Sequence, residues 1–486
     1  MLLGVALRIW AFSPLDTLHP DELMQYFEQA NRLVTGHGTV PWEYRYGIRS
    51  WLLPQLLAGP VALGHWLAPG TLAPYLAARI AFAALALISL PAAWRLGLLS
   101  GRREGLMALF VVAVWFESVL FGELLLSETL AAALMLLAAA LLLADAPGRR
   151  ALQAAGLLLG LGVVFRMQYA VFAAVLAAMA LKADWRRWRW LIEGGLAALA
   201  LGALSDLAMG RAPFLWLWRY YAMNVGDGRA SIFGVSPPYA FVIVLLIHLG
   251  PAVLPILAAM FGAGRRYLPL LVAAWANIAA HSFIPHKEFR FIWLSLLSLL
   301  VLGAIGSVRG ARWAQGRLGT ASPTAAKTGS WLWLALFPAW WAASFGAQQV
   351  VENGAPLRKG GALAGMVIAA DRQPGICGLA VPYLWRHYVV DGMLPRPLPL
   401  YLGPPIVSQY DTRPIDTIPV ADRPPADLLG AANAIVMPSP GPVPQGYARQ
   451  RCDTSGKDSM CLYTRPGSCT PAPRWGYQAV LQRLDM

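Results

Sequence analysis

The sequence predicts an all-α polytopic membrane protein that carries a soluble α/β domain at its C-terminal end. Three observations predict it. The 486 residues are 57% hydrophobic and only 13% charged, where a soluble domain would carry close to a quarter charged residues. The apolar runs are rich in Leu and Ala and too long for transmembrane strands, which alternate over about ten residues. After residue 347 the composition changes: all four cysteines and 19 of the 37 prolines lie in residues 348–486. The formal balance is +14, with 39 basic residues against 25 acidic ones. The basic residues sit mostly between apolar runs, where they orient helices, so no nucleic-acid partner is expected.

Taken in order, helical spans are expected near residues 1–14, 74–97, 104–120, 124–146, 151–165, 168–182, 188–208, 240–261, 267–285, 290–308 and 330–347. That makes about eleven, some shorter than the roughly 20 residues a span needs. No basic segment precedes the first run and no A-x-A site follows it, so a retained helix is expected rather than a cleaved signal peptide. Arg102–Arg103, Arg149–Arg150, the run from Lys182 to Arg189, Arg265–Arg266 and the stretch from Arg309 to Lys327 then fall on one side, expected to be cytoplasmic. The other side, expected to be periplasmic, receives residues 15–73, the turns near 120–128 and Arg166, residues 209–239 and 281–290, and everything after 348. Residues 51–69 must then be re-entrant or interfacial, which Pro54, Pro60 and Trp66 suit.

Two domains follow: a membrane domain over 1–347, whose first outer loop spans about 15–73, and an outer domain over 348–486. In the outer domain Met366–Ala370, Gly378–Val381 and Ala434–Met437 read as short strands. Cys377, Cys452, Cys461 and Cys469 are even in number and lack nearby histidines, so disulfides are expected rather than zinc, with the pairing open.

The chemistry concentrates in two outer stretches. The first reads His19-Pro20-Asp21-Glu22, then Gln25 and Glu28, Trp42-Glu43-Tyr44, Arg49-Ser50 and Pro54. The second reads His281-Ser282-Phe283-Ile284-Pro285-His286-Lys287-Glu288-Phe289-Arg290-Phe291. Four of the seven histidines, His19, His37, His281 and His286, lie in them. An acidic pair outside the first span and a cationic cluster at the end of a late one would suit an anionic lipid substrate. Each has an ordinary reading too: Asp-Glu after Pro20 suits a helix start, and Lys287 and Arg290 could snorkel at an interface. Arg166, between two short spans, is either functional or packed against an acid such as Glu128. His248 lies within a span and is assigned no role beyond a hydrogen-bonded core histidine.

Together these motifs resemble glycosyltransferase family 22, of the GT-C superfamily, over roughly residues 1–300. That family holds the polyprenyl-phosphate-mannose-dependent α-mannosyltransferases of glycosylphosphatidylinositol and N-glycan assembly. Ser127-Glu128-Thr129 and Phe165-Arg166 agree as well, whereas Ile292-Trp293-Leu294 stands where a proline is expected. The resemblance implies a GT-C fold and a bacterial member of the family. It implies inverting transfer of a mannosyl residue from a polyprenyl-phosphate donor to a glycan or glycolipid acceptor at the outer face of the inner membrane. It also points to Asp21 as general base, with Glu22 beside it orienting the loop or binding acceptor. His286, Lys287, Arg290 and Arg166 would stabilise the leaving phosphate, with His19, Glu43 and Arg49 as further substrate contacts. The loops hold no DxD-like motif, so neither metal nor cofactor is expected. A GT-C enzyme for another sugar and a lipid or glycan transporter are the alternatives, although the charges gather at helix ends rather than at mid-membrane.

Overall fold

The computed structural model of the chain describes residues 1–319, 332–354, 357–358, 360–382, 389–402, 424–439, 443–454 and 459–483. Part of the expected basic loop (320–327) and the start of the last expected span (330–331) lie outside the described residues. The chain forms two compact units, each assembled from three stretches. One comprises Met1–Phe12, Ala83–Phe214 and Val235–Pro356, and the other Ser13–Phe82, Leu215–Gly234 and Leu357–Met486.

The described residues of the first unit form helices and their connections. Among the described residues of the chain, four helical segments are long and apolar enough to cross a membrane: Ala73–Leu98, Trp185–Ala208, Ala240–Phe261 and Phe289–Arg317. Shorter apolar helices such as Leu2–Ala11, Ser127–Leu142 and Met167–Leu181 accompany them. Small residues let the helix backbones meet, as in lipid-embedded bundles generally. A Cβ on Gly156 would lie 1.9 Å from the Leu191 carbonyl oxygen, and one on Gly194 1.9 Å from that of Gln153. The helix over Arg102–Val114 breaks at Trp115, whose backbone is extended, and resumes over Phe116–Phe121. The break leaves the Val112 carbonyl without the Phe116 amide, which donates to the Ser344 hydroxyl instead. Buried Arg8 supplies the donors: its guanidinium reaches the carbonyls of Val112 (3.1 Å) and Ser118 (2.9 Å) and the Ser118 hydroxyl (3.0 Å).

The second unit gathers Ser13–Phe82, the short stretch Leu215–Gly234 and the C-terminal segment. Its five-stranded sheet has the order β2-β1-β3-β5-β4, with β1 Leu379–Val381, β2 Leu400–Leu402, β3 Ala434–Pro438, β4 Ala448–Asp453 and β5 Met460–Thr464. β1 lies parallel to β2 and β3, while β5 is antiparallel to both β3 and β4. Both faces are covered. Leu379, Val381, Val436 and Leu462 face one apolar layer, and Ala380, Ile435, Met437 and Tyr463 the other, which is why these strands read as unbroken apolar runs. The same ambiguity misleads at Met366–Ala370. That run is not a strand but part of a ten-residue helix, Ala362–Asp371, because a continuous apolar run carries no period and its Ala-rich flanks extend it to helical length. All four cysteines are paired, Cys377 with Cys469 and Cys452 with Cys461. The second pair joins directly opposed positions of β4 and β5.

Candidate active-site residues

In the second unit a helix begins at Pro20 and runs to Thr35, its first turns wound wide over Glu22–Phe27. Wide turns of this kind recur at functional sites because they re-aim side chains. Glu22 occupies the third helical position and reaches back to the amides of Leu18 (3.0 Å) and His19 (3.1 Å), which satisfies two donors at the helix start. Its other oxygen pairs with Arg79 at 2.5 Å, both side chains being fully buried. Glu22 therefore ties the loop to the helix that carries Arg79. His19 Nδ1 accepts the Asp21 amide at 3.1 Å. A ring nitrogen that accepts a hydrogen bond carries no proton, so its 3.4 Å approach to the Asp21 carboxylate is not an ion pair.

Asp21 shares an electrostatic neighbourhood with Glu43 and Arg49. Gln25, one turn beyond Asp21, donates to Glu43 at 2.5 Å, and the Tyr44 hydroxyl donates to the Gln25 carbonyl at 2.9 Å. Burial pushes the Glu43 carboxyl up to about 7, against the pull of Arg49 and with the help of the Asp21 charge. Arg49 is held firmly protonated by Tyr26, Glu43 and Asp21, which outweigh its burial. It also lies over the Tyr220 ring at 5.8 Å. Arg229 caps Trp42 at 4.2 Å, so the loop after Leu215 is stitched to the Trp42-Glu43-Tyr44 turn.

In the first unit the second motif forms a charged cluster. Glu128 is fully buried and its Oε1 lies between Arg290 (3.2 Å) and Arg166 (3.4 Å). Arg166 and Arg290 both lie over Phe291, at 4.7 and 5.3 Å. Glu288 binds Arg290 on one oxygen and His286 on the other, the latter at 2.7 Å. Lys287 donates to the carbonyls of Ser236 (2.9 Å) and Ile284 (2.7 Å). Arg166, Arg290 and Lys287 thus stand around the carboxylates of Glu128 and Glu288, with the two guanidiniums aimed in advance. Such fixed donors can stabilise an anion without reorganising. Among the described residues no group of three or more His, Cys, Asp and Glu forms a metal site.

The structure thus brings Asp21, Glu43 and Arg49 together in one unit and Arg166, His286, Lys287 and Arg290 in the other. Glu128 is the member that sequence reasoning underrated. A buried carboxylate in a membrane helix needs a cation, and that signal was present. Glu117 was overlooked: fully buried, it accepts from the Trp115 indole and bonds His248, whose ring stacks on Phe289 at 3.6 Å.

Residues 1–350 match the Alg9-like mannosyltransferase family. GPI mannosyltransferase 3 of Yarrowia lipolytica is 28% identical over 300 residues, covering 60% of this chain and 58% of the relative. The Drosophila melanogaster protein of the same name is 26% identical over 307 residues, covering 60% and 53%. The chain thus spans little more than half the length of these curated relatives. Two crystal structures of ArnT from Cupriavidus metallidurans, one bound to undecaprenyl phosphate and one in the apo state, align with TM-scores of 0.53 and 0.55. Both are 13% identical and the alignments cover 97% of this chain and 99% of theirs. The likeness is one of fold, and it extends beyond the membrane part into the C-terminal segment. With the family match covering most of its length, the chain belongs to the Alg9-like mannosyltransferase family.

Proposed function

We propose that the protein is an inverting mannosyltransferase that takes its sugar from a polyprenyl-phosphate donor and places it on a hydroxyl of a glycan or glycolipid. The observation that carries this reading is the Arg166–Glu128–Arg290 cluster in a chain of this family. Buried guanidiniums braced by one carboxylate suit a phosphate that gains negative charge as it leaves. The undecaprenyl phosphate bound in ArnT supports a lipid monophosphate as the leaving group.

In the proposed reaction Asp21 accepts the proton of the acceptor hydroxyl as its oxygen bonds to the anomeric carbon. The bond from that carbon to the phosphate oxygen breaks on the opposite side, and the electron pair leaves with the polyprenyl phosphate. Arg166, Lys287, Arg290 and His286 hold that phosphate. Arg49 and Glu43 contact substrate beside Asp21. Glu22, already committed to Arg79 and two backbone amides, acts by holding the loop in place, and His19 by receiving the Asp21 amide. About eleven membrane spans, inner-membrane residence, and a periplasmic site and C-terminal domain complete the proposal, resting on the apolar helices and the basic loops.

The test compares, by mass spectrometry, the glycolipids and surface glycans of cells lacking the protein, restored with wild type or with Asp21→Asn. A hexose missing in both the deletion and the variant supports the transferase and names the acceptor. Full restoration by Asp21→Asn overturns the assignment of the base and favours a transporter. With purified protein, Asp21→Asn should lower turnover roughly 10²- to 10⁴-fold, and Lys287→Ala should weaken binding of polyprenyl phosphate.

A further inference from the structure

The C-terminal segment makes a closed ring of hydrogen bonds with the helix that starts at Pro20, within the second unit. The Glu28 carboxylate accepts the Thr39 amide on one oxygen at 2.7 Å and the Gly392 amide on the other at 3.0 Å. The Thr39 hydroxyl in turn donates to Asp391 at 3.0 Å, and Asp391 adjoins Gly392. Glu28 is fully buried. The seal is tight: a Cβ on Gly392 would fall 2.8 Å from Glu28 Oε2 and 2.9 Å from Asn31 Nδ2, and one on Gly38 2.6 Å from Glu28 Oε1. Beside the ring, Gln478 grips the Val40 backbone twice, accepting its amide at 2.7 Å and donating to its carbonyl at 3.2 Å. Met24 packs into the apolar layer beneath β1 and β3.

We propose that Glu28, Thr39 and Asp391 are positioning residues through which the C-terminal segment, by this ring of hydrogen bonds, holds the helix of Asp21 in its working position. This rests on the reading of Asp21 as the base. Glu28 lies seven residues along the helix from Asp21, about 10 Å at 1.5 Å per residue. Between them Gln25 binds Glu43. Gln29, next to Glu28, donates to the Thr39 carbonyl at 3.0 Å. Loosening the ring therefore loosens the frame in which both Asp21 and Glu43 sit.

The charges around the ring set its response to pH. Arg32, one turn on, faces Glu28 from the same helix, and Tyr477 approaches both carboxylates from the last helix. His65 binds Asn31 from the neighbouring helix at 2.9 Å. Arg32 alone does not balance the buried Glu28 carboxylate and the half-buried Asp391 beside it. Burial and the Asp391 charge push Glu28 up to about 8, and burial pushes Asp391 up as well. A carboxyl raised in the folded state favours the ring most fully at acid pH. That contribution declines as pH rises from the ordinary carboxyl range toward 8, then levels off.

The test uses the full-length protein in detergent with Asp391→Asn, Asp391→Ala and Thr39→Val. Deuterium uptake over residues 22–35, corrected for intrinsic exchange, should rise in wild type between pH 6 and 8.5. Asp391→Asn should flatten that rise, since it removes the second carboxylate while keeping size. Asp391→Ala and Thr39→Val should raise uptake at all pH values and lower kcat roughly 10- to 10²-fold, with unchanged affinity for polyprenyl monophosphate. Wild-type uptake in all three variants overturns the ring as a fastening. Raised uptake with unchanged kcat overturns its role in catalysis, provided Asp21→Asn is inactive. Should Asp21→Asn prove active, the base assignment fails on its own and the uptake measurement still decides the fastening.

Discussion

Glu117 and His248, 131 residues apart in sequence, are hydrogen-bonded to each other inside the first unit, and the His248 ring stacks face to face on Phe289 of the cationic motif. Phe289 meets Phe121 edge-on, and Phe121 stacks on Trp293 at 4.3 Å. The motif is therefore backed by a packed wall anchored on one carboxylate. Glu117→Ala strands His248, and His248→Ala strands Glu117. Leaving one partner of a buried hydrogen bond unsatisfied costs about 1–3 kcal/mol. A double-mutant cycle on thermal unfolding should find the two coupled by roughly 0.5–3 kcal/mol; additive losses would show that the pair does not act as one.

Glu128 should behave differently from the arginines it braces. Glu128→Ala removes the carboxylate that the two guanidiniums share and leaves both cationic, so affinity for polyprenyl phosphate should hold while turnover drops and the unfolding temperature falls. Arg290→Ala should lose affinity itself. Equal losses of affinity in both variants would reduce Glu128 to a general support of the fold.

The Glu43 carboxyl, raised to about 7 chiefly by burial, carries a pH signature. Between the ordinary carboxyl range and 7 the unfolded chain releases the proton while the folded protein keeps it. The stability from this group thus declines as pH rises through that window and is flat above it, by about 1.4 kcal/mol for each tenfold difference in proton affinity between the folded and unfolded chain. Glu43→Gln should remove that slope from the unfolding temperature measured between pH 5 and 8. The Glu28 slope remains in both proteins and cancels in the difference. Parallel curves would contradict the assignment.

Close helix packing at Gly156 and Gly194 predicts a purely structural effect. An alanine at either position drives its Cβ into a facing backbone carbonyl, so the helices must separate. Gly194→Ala should cost roughly 1–3 kcal/mol, read as a lower unfolding temperature in detergent, whereas Gly148→Ala, with open space around it, should leave that temperature unchanged.

Composition and local pattern by themselves determined that this chain is a helical membrane protein with a distinct C-terminal segment. Long Leu- and Ala-rich runs have one stable state in an apolar medium. The helix start at Pro20 was equally legible, because a proline before an acidic pair suits the first turn of a helix. Tertiary structure decided what lies far apart in sequence: Glu128 between Arg166 and Arg290, His248 on Glu117, Arg79 on Glu22, and Thr39 on Asp391. The pairing of the cysteines and the helical state of Met366–Ala370 belong to the same class. A buried charge announces in sequence that it must have a partner, but which partner it finds depends on how separate segments pack.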